Sequence, residues 1–321
     1  MFLTRANTPC FEFRDFLTER YLCKLNLQSQ IPVIRGDITN HPDLLWAEDS
    51  WDETRIADAK EKLMRQGACS SKMTDFNKNR ILNKASQYWH EFYKRNQDHF
   101  YKDRHYLHIV FPELAICNDG KKVLVELGSG VGNAIFPLLT VNDSLQVLAF
   151  DFAKSAIDLM KINPLYDDLN KKCRSLSACD DTFKILGQVC DIVNEELPIS
   201  DNSVDYVLCM FVLSAMPRTS QLSVFKKISR ILKPSGKVFF RDYGRYDEAQ
   251  LRFSGKNIVD DNLYARQDGT LSYYFTKEEV FELALSAGLK VLENEYVLRQ
   301  YANRKQGKAR YRVWMHGKFI K

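Results

Sequence analysis

The sequence predicts an α/β fold: a doubly wound, mostly parallel sheet of seven strands, with an antiparallel hairpin at its C-terminal edge and a helical extension in front. Three observations predict it. From Lys121 onward, short apolar runs alternate with helical patterns at the spacing of βα units. A glycine-rich turn, Gly128, Gly130 and Gly132, lies directly between the first apolar run and the first helix. The last two runs, Lys290–Arg299 and Arg310–Phe319, are separated only by a basic loop, too short for a crossover helix.

The elements follow in order. Up to about Asn79 the periodicity is weak and Pro32, Gly36 and Pro42 punctuate it. Within this part Trp51–Arg65, preceded by Asp49 and Ser50, reads as a helix with acids early and bases late. Asn83–Asn96 reads as a second, with Tyr88, Trp89, Phe92 and Tyr93 on neighbouring turns. Residues 1–82 are therefore taken as an N-terminal extension and 83–321 as the main domain. In that domain Lys122–Leu127 is a buried strand, and a helix follows through Pro137–Leu139. Leu145–Phe150 is the second strand, ending at Asp151, with a helix over Ala153–Lys161. Phe183–Val189 is a weak third strand and Val204–Val212 the fourth, followed by a helix over Gln221–Leu232. Gly236–Asp242 is the fifth strand. Then come a strand at Thr270–Phe275, a helix over Lys277–Ser286 that Gly288 stops, and the closing hairpin.

Composition narrows the function classes. Of 321 residues 45% are apolar and 27% charged, enough apolar surface to offset chain ordering. The longest near-continuous apolar run, Val207–Met216, is too short to span a bilayer, and Val123–Val141 is broken by Glu126 and glycines. The eight cysteines form no C-x-x-C pair, and no secretory signal is visible, so free thiols in a reducing compartment are expected. Acids interleave with the N-terminal bases (Glu12, Asp15 and Glu19 among Arg5, Arg14 and Arg20), which favours cytoplasm or nucleus over mitochondrion. A net charge of +5 permits a polyanionic partner without demanding one.

The glycine turn is the sharpest local feature. Glycines let the backbone turn tightly and approach a ligand at a helix N-terminus. Asp151 ends the next strand, where an acid can accept hydrogen bonds from the two ribose hydroxyls of an adenosine. A dinucleotide loop needs G-x-G-x-x-G/A, which Gly128, Gly130 and Asn133 do not satisfy. Glu126, Gly128, Gly130 and Gly132 follow E-x-G-x-G-x-G, the spacing of loops that bind S-adenosylmethionine, so that cofactor is expected. Asp191 and Ile192, after the third strand, are placed to meet adenine: an acid for its amino group and an apolar neighbour for the ring.

A larger set of motifs then coincides: WHEFYKRN (Trp89–Asn96), FYKDRHYL (Phe100–Leu107), FPEL (Phe111–Leu114), ELGSGVGNAIFPLL (Glu126–Leu139), NPLYD (Asn163–Asp167), FVLSAMP (Phe211–Pro217), RDYGRYD (Arg241–Asp247), LYARQDGTLSYYFT (Leu263–Thr276) and YRVWMHGKF (Tyr311–Phe319). From about Ser86 onward the chain closely resembles the eukaryotic methyltransferase-like family that makes 3-methylcytidine in tRNA. The resemblance implies a class I, Rossmann-like methyltransferase fold and cytidine 32 of the anticodon loop as target. It also implies an N-terminal segment, here 83–120, that closes over the cofactor and helps hold RNA. By motif matching, Trp89 and Tyr93 would cover the cofactor, and Gly128, Asp151, Asp191, Ile192 and Met210 would line its pocket. Between Asp168 and Gln188 the chain carries extra residues relative to the family. The wording RDYGRYD, AQLRF and YRVW is more similar to the branch acting on threonine and arginine tRNAs. The serine branch would bring seryl-tRNA synthetase as partner.

Cytosine N3 carries an in-plane lone pair, so the reaction needs an extruded, aimed base rather than a general base. Asp242, at the carboxyl end of the fifth strand, is expected to contact the cytosine amino group, with Tyr243 stacking on or hydrogen-bonding to the base; the alternative is a buried Asp that caps the following turn. Phe100 is expected to stack on the base while Arg104 grips it or a phosphate. The basic run Arg299, Arg304, Lys305, Lys308, Arg310 and Arg312, with Arg245, Arg252 and Arg266, fits an RNA backbone groove, or else a solubilising hairpin. His105 and His108 are three apart, yet no Cys or acid completes a metal site, so none is expected. Two other readings remain: a methyltransferase of a protein or small molecule, and a non-catalytic cofactor-binding partner subunit.

Overall fold

The computed structural model describes residues 53–68, 73–115, 120–175, 183–303 and 308–321. Trp46, Trp51, Arg304 and Lys305 lie outside them. A seven-stranded sheet runs in the order β3-β2-β1-β4-β5-β10-β9. Its strands are β1 Lys122–Leu127, β2 Leu145–Asp151, β3 Ile185–Val189, β4 Val204–Met210, β5 Leu232–Tyr243, β9 Lys290–Asn303 and β10 Lys308–Ile320. β1 to β5 are mutually parallel, while β10 pairs antiparallel with both β5 and β9. Helices on both faces explain the near-continuous apolar wording of β1 and β4, whose last four residues are all buried.

The helices are α1 Glu53–Gly67, α2 Asp75–Asn83, α3 Ala85–Asn96, α4 Ile135–Val141, α5 Lys154–Ile162, α6 Pro164–Ser175, α7 Arg218–Ile231 and α8 Lys277–Ser286. Each amphipathic helix buries one stripe. In α7 the buried positions Gln221, Val224, Phe225, Ile228 and Ile231 follow the 3.6-residue period. Phe225 meets Phe240 of β5 and Phe319 of β10 at ring separations of 6.2 and 5.8 Å. Thr276 and Glu279 form a reciprocal capping box that starts α8, and Gly288 (φ 78°) follows its end. Among the described residues no helix is long and apolar enough to cross a membrane.

Two features depart from the sequence expectation. Asn83–Asn96 is divided: α2 ends at Asn83 and α3 starts at Ala85, with Thr74 capping α2. Thr270–Phe275 does not join the main sheet. Its core, β8 Leu271–Tyr273, pairs with β7 Leu263–Ala265, which pairs with β6 Ile258–Asp260, in a separate antiparallel sheet. Asn170 fastens α6 to the start of β3, donating to the Ile185 carbonyl at 3.0 Å and accepting from the Lys184 and Ile185 amides at 2.8 and 3.1 Å. The β2–β3 register places Asp151 opposite Val189.

α1 lies on the main domain. Gln66 donates to the Gln250 carbonyl at 3.0 Å and accepts from the Tyr264 hydroxyl at 3.4 Å. Asp247, fully buried, ties this side to the sheet by accepting from Arg312 Nε at 2.8 Å and the Val313 amide at 2.9 Å.

Candidate active site

The strand order reverses between β1 and β4, and ligands of open α/β sheets bind beyond the carboxyl ends of the strands at such a point. β1 leads into Gly128, Gly130 and Gly132, all in the left-handed region (φ 62°, 54° and 93°). A Cβ on Gly128 would come within 2.5 Å of Val212, and one on Gly130 within 2.6 Å of the Tyr93 hydroxyl. Only glycine allows both the turn and these close approaches. Asp151 holds the loop: Oδ2 accepts from the Gly130 amide at 2.9 Å and Oδ1 from the Ala153 amide at 2.8 Å. A carboxylate has about four acceptor sites, so capacity for a ligand diol remains. Burial pushes the Asp151 carboxyl up to about 6.

A cleft opens here, and all nine residues expected at the cofactor line it: Trp89, Tyr93, Glu126, Gly128, Gly130, Asp151, Asp191, Ile192 and Met210. Its polar atoms are short of partners. Glu126 Oε2, Ser129 Oγ and Trp89 Nε1 are buried and make no hydrogen bond. Three such groups facing one cleft fit a polar ligand that would supply their partners. Glu126 is 3% exposed, and burial drives its carboxyl well above the ordinary range, with the Arg104 charge opposing. Glu126 and Arg104 thus present one acceptor and one cation, the two groups that can hold the ammonium and carboxylate of an amino acid. Asp191 spends Oδ1 on the Val193 amide (3.0 Å) and Oδ2 on Asn194 Nδ2 (2.8 Å), which fixes the turn carrying Ile192.

The lid over this cleft is α3 with the segment after it. Ser155 of α5 donates its hydroxyl to the His90 carbonyl at 3.0 Å. Asn133 donates to the Tyr101 carbonyl and to Asp103 at 3.2 and 3.0 Å, and its own carbonyl accepts from the Arg104 amide at 2.8 Å. Asn133, just past the glycine turn, therefore clasps residues 101–104.

A second cleft adjoins the first. Phe100, Tyr101, Tyr243, Arg252, Phe253, Arg266 and Arg312 are among its lining residues, and Tyr101 lines both clefts. The Arg266 and Arg312 guanidiniums lie 5.4 and 5.8 Å from the Tyr243 ring centre. Phe211, on the cofactor side with φ 61°, is 5.0 Å from Tyr243 between ring centres. Phe100, 57% exposed, meets the Tyr101 ring at 4.8 Å.

Two candidates lie outside the lining of the second cleft. Asp242 is fully buried and lines neither cleft; its Oδ2 accepts from the Ser214 amide at 3.0 Å and Oδ1 from the Tyr243 amide at 2.8 Å. It thereby holds the turn Leu213–Ala215, and burial pushes its carboxyl up to about 6. Arg104 lines the cofactor cleft, its guanidinium 4.9 Å from the Phe211 ring centre. Of the RNA candidates, Arg252 and Arg266 line the second cleft, whereas Arg245 stands 5.8 Å from the Tyr246 ring and does not. Lys308 and Arg310 begin β10, paired with Asn303 and Tyr301, and Lys305 falls outside the described residues. Phe211 was not singled out: its place depends on a left-handed residue, which has no sequence signature. Among the described residues no three His, Cys, Asp or Glu side chains group to hold a metal.

Residues 93–294 match the model of a methyltransferase domain family. The human tRNA N(3)-cytidine methyltransferase METTL6 is 37% identical over 270 residues, 83% of this chain and 89% of its own. METTL2 of Danio rerio, a tRNA N(3)-cytidine methyltransferase, is 33% identical over 320 residues, 87% of this chain and 86% of its own. O-methyltransferase 3 of Dictyostelium discoideum is 31% identical over 363 residues, 86% of this chain and 78% of its own. The solved 1,6-didemethyltoxoflavin-N1-methyltransferase of Burkholderia thailandensis, with bound 1,6-didemethyltoxoflavin and S-adenosylhomocysteine, superposes with a TM-score of 0.50. It is 15% identical and covers 78% of this chain and 93% of its own, which shows the shared fold. Fold and cleft together define an S-adenosylmethionine-dependent methyltransferase of class I architecture. More narrowly, the chain belongs to the tRNA N(3)-cytidine methyltransferase family.

Proposed function

We propose that the protein methylates N3 of cytidine 32 in the anticodon loop of tRNA. The observation that carries this reading is the pair of clefts joined at Tyr101: one closed around the glycine loop, the other open, aromatic and bordered by Arg252, Arg266 and Arg312. A flipped base needs aromatic faces and a single-stranded backbone needs cations, and the second cleft supplies both.

When bound, the cofactor supplies an electrophilic methyl on a sulfonium. The chain's own residues bind and aim. Asp151 accepts the ribose hydroxyls, Ile192 covers the adenine ring, and Glu126 and Arg104 take the ammonium and carboxylate. Trp89 and Tyr93 close the lid and exclude water. Tyr243 and Tyr101 hold the cytosine so that its N3 lone pair points from the second cleft into the first. Transfer of that methyl to the N3 lone pair, with the carbon–sulfur pair leaving on sulfur, would require no proton to move. The product base is cationic, and the Tyr243 and Phe211 faces stabilise that charge. Asp242 acts by position: through the Ser214 and Tyr243 amides it fixes the turn after Phe211 and the backbone of Tyr243 together.

Threonine and arginine tRNAs are the first substrates to test, and serine tRNA with seryl-tRNA synthetase the next. Transfer of labelled methyl from S-adenosylmethionine to each transcript, with and without the synthetase, tests the reading. Incorporation into at least one tRNA is expected. Incorporation into none of them, with S-adenosylhomocysteine binding intact, would overturn the RNA assignment and return the acceptor to a protein or small molecule.

A further inference from the structure

α3 is a wall of both clefts. Trp89 and Tyr93, one turn apart, line the cofactor cleft, while Phe92 and Arg95 line the second cleft on the adjoining face. Tyr88, at the same helical spacing as Phe92 and Arg95, does not stop at the cleft. It seats against the turn between β7 and β8, the turn that presents Arg266 to the second cleft.

The seat is shaped for it. Gly269 is left-handed (φ 85°), and a Cβ there would fall within 2.5 Å of the Tyr88 ring. Asp268 folds the turn by accepting from the Thr270 hydroxyl at 2.7 Å and the Thr270 amide at 3.0 Å. Arg266 donates its amide to the Thr270 carbonyl at 2.8 Å, and the Gly269 amide donates to the Arg266 carbonyl at 3.0 Å. A second contact parallels the first: Arg95 of α3 reaches Asp268 at 4.0 Å. One rigid turn thus carries the seat for the lid helix and a guanidinium of the second cleft.

We propose that Tyr88 and Gly269 are positioning residues that couple the two clefts, so that closing α3 over the cofactor sets the Arg266 turn in its RNA-binding position. A helix that both ligands need in one place gives positive, reciprocal coupling between them. The consequence for RNA rests on the proposed function; the mechanical link does not. None of residues 266–270 lines the cofactor cleft, so an effect of the cofactor on this turn has to pass through intervening side chains, and Tyr88 is the one seated on it.

Amide hydrogen exchange on the whole protein, with and without saturating S-adenosylhomocysteine, tests the link with no RNA present. In the wild type the ligand is expected to slow exchange both in the glycine loop and, about fivefold or more, at the Arg266 and Gly269 amides. Gly269→Ala and Tyr88→Ala, which break the contact from opposite sides, are expected to keep the first effect and lose the second. Tyr88→Ala leaves the turn's own backbone unstrained, so it separates loss of coupling from local damage at Gly269. Protection of the turn that persists in both variants, or a wild-type turn unaffected while the glycine loop is protected, would overturn the proposal. The second arm measures tRNA affinity with and without S-adenosylhomocysteine: about fivefold or greater tightening is expected in the wild type and none in Tyr88→Ala. Tightening of equal size in Tyr88→Ala would also overturn it. Exchange coupling with no tRNA bound under any condition would keep this inference and sink the proposed substrate.

Discussion

Asp151 allows a quantitative test of the cofactor cleft. Its carboxyl is pushed up to about 6 by burial, against the pull of the Gly130 and Ala153 amides. A ribose diol would donate two hydrogen bonds to it, and binding therefore favours the ionised form. The sign follows: affinity is full above pH 6 and falls as pH drops through 6. At pH 5 only about one molecule in ten is ionised. Protonation turns two charge-assisted bonds into neutral ones, at about 1 kcal/mol each, so the loss levels off near 30-fold. Glu126 titrates in the same cleft, with its carboxyl well above the usual range. 5′-Methylthioadenosine carries the diol but no amino-acid group, so its titration calorimetry isolates Asp151. The expected profile falls about eightfold between pH 7.5 and 5 in the wild type and is flat in Asp151→Asn. A wild-type profile that is also flat, or an unchanged slope in the variant, would refute the placement of the diol on Asp151.

Other outcomes follow from the same geometry. Glu126→Gln should weaken S-adenosylhomocysteine about 10-fold or more while sparing 5′-methylthioadenosine, because only the former brings an ammonium to the buried carboxylate; calorimetry on both ligands checks it. For Asp242 the folded-state carboxyl lies above its ordinary value, so ionisation costs stability as pH rises through 6. Lowering pH from 7.5 to 4 should therefore stabilise the wild type relative to Asp242→Asn by about 2 kcal/mol in urea unfolding. Asp247→Ala should destabilise by about 3–5 kcal/mol, since it strands the Arg312 guanidinium and two backbone amides; thermal melts would show it. Arg252→Ala should weaken tRNA binding and lower the slope of log affinity against log salt by about 1.

Much of this was legible in the sequence, for identifiable reasons. β1, β2 and β4 are short apolar runs bounded by turn residues, and the glycine loop has a spacing that backbone geometry dictates. All nine cofactor candidates meet in one cleft because they sit at strand ends or on one helix face, where local pattern determines position. The three-stranded sheet was not legible: β6, β7 and β8 are three residues each, too short for a period to show. For Asp242 the sequence left two readings open, a contact with the base and a cap on the following turn, because the carboxyl end of a strand says where a side chain is, not whether a neighbouring turn will claim it; the Ser214 amide bonds to it here. The surroundings of Arg104 were not legible, since the Asn133 clasp joins segments about thirty residues apart in sequence.

The central claim is a nucleoside and a position, so one measurement bears on it most directly. tRNA lacking 3-methylcytidine is treated with the protein and S-adenosylmethionine. It is then cut into fragments and read by mass spectrometry, with Asp151→Ala as the inactive control. The account predicts 3-methylcytidine in the anticodon-loop fragment, at position 32, and its absence in the control. A methyl group elsewhere in the tRNA, or on any other atom, would contradict it.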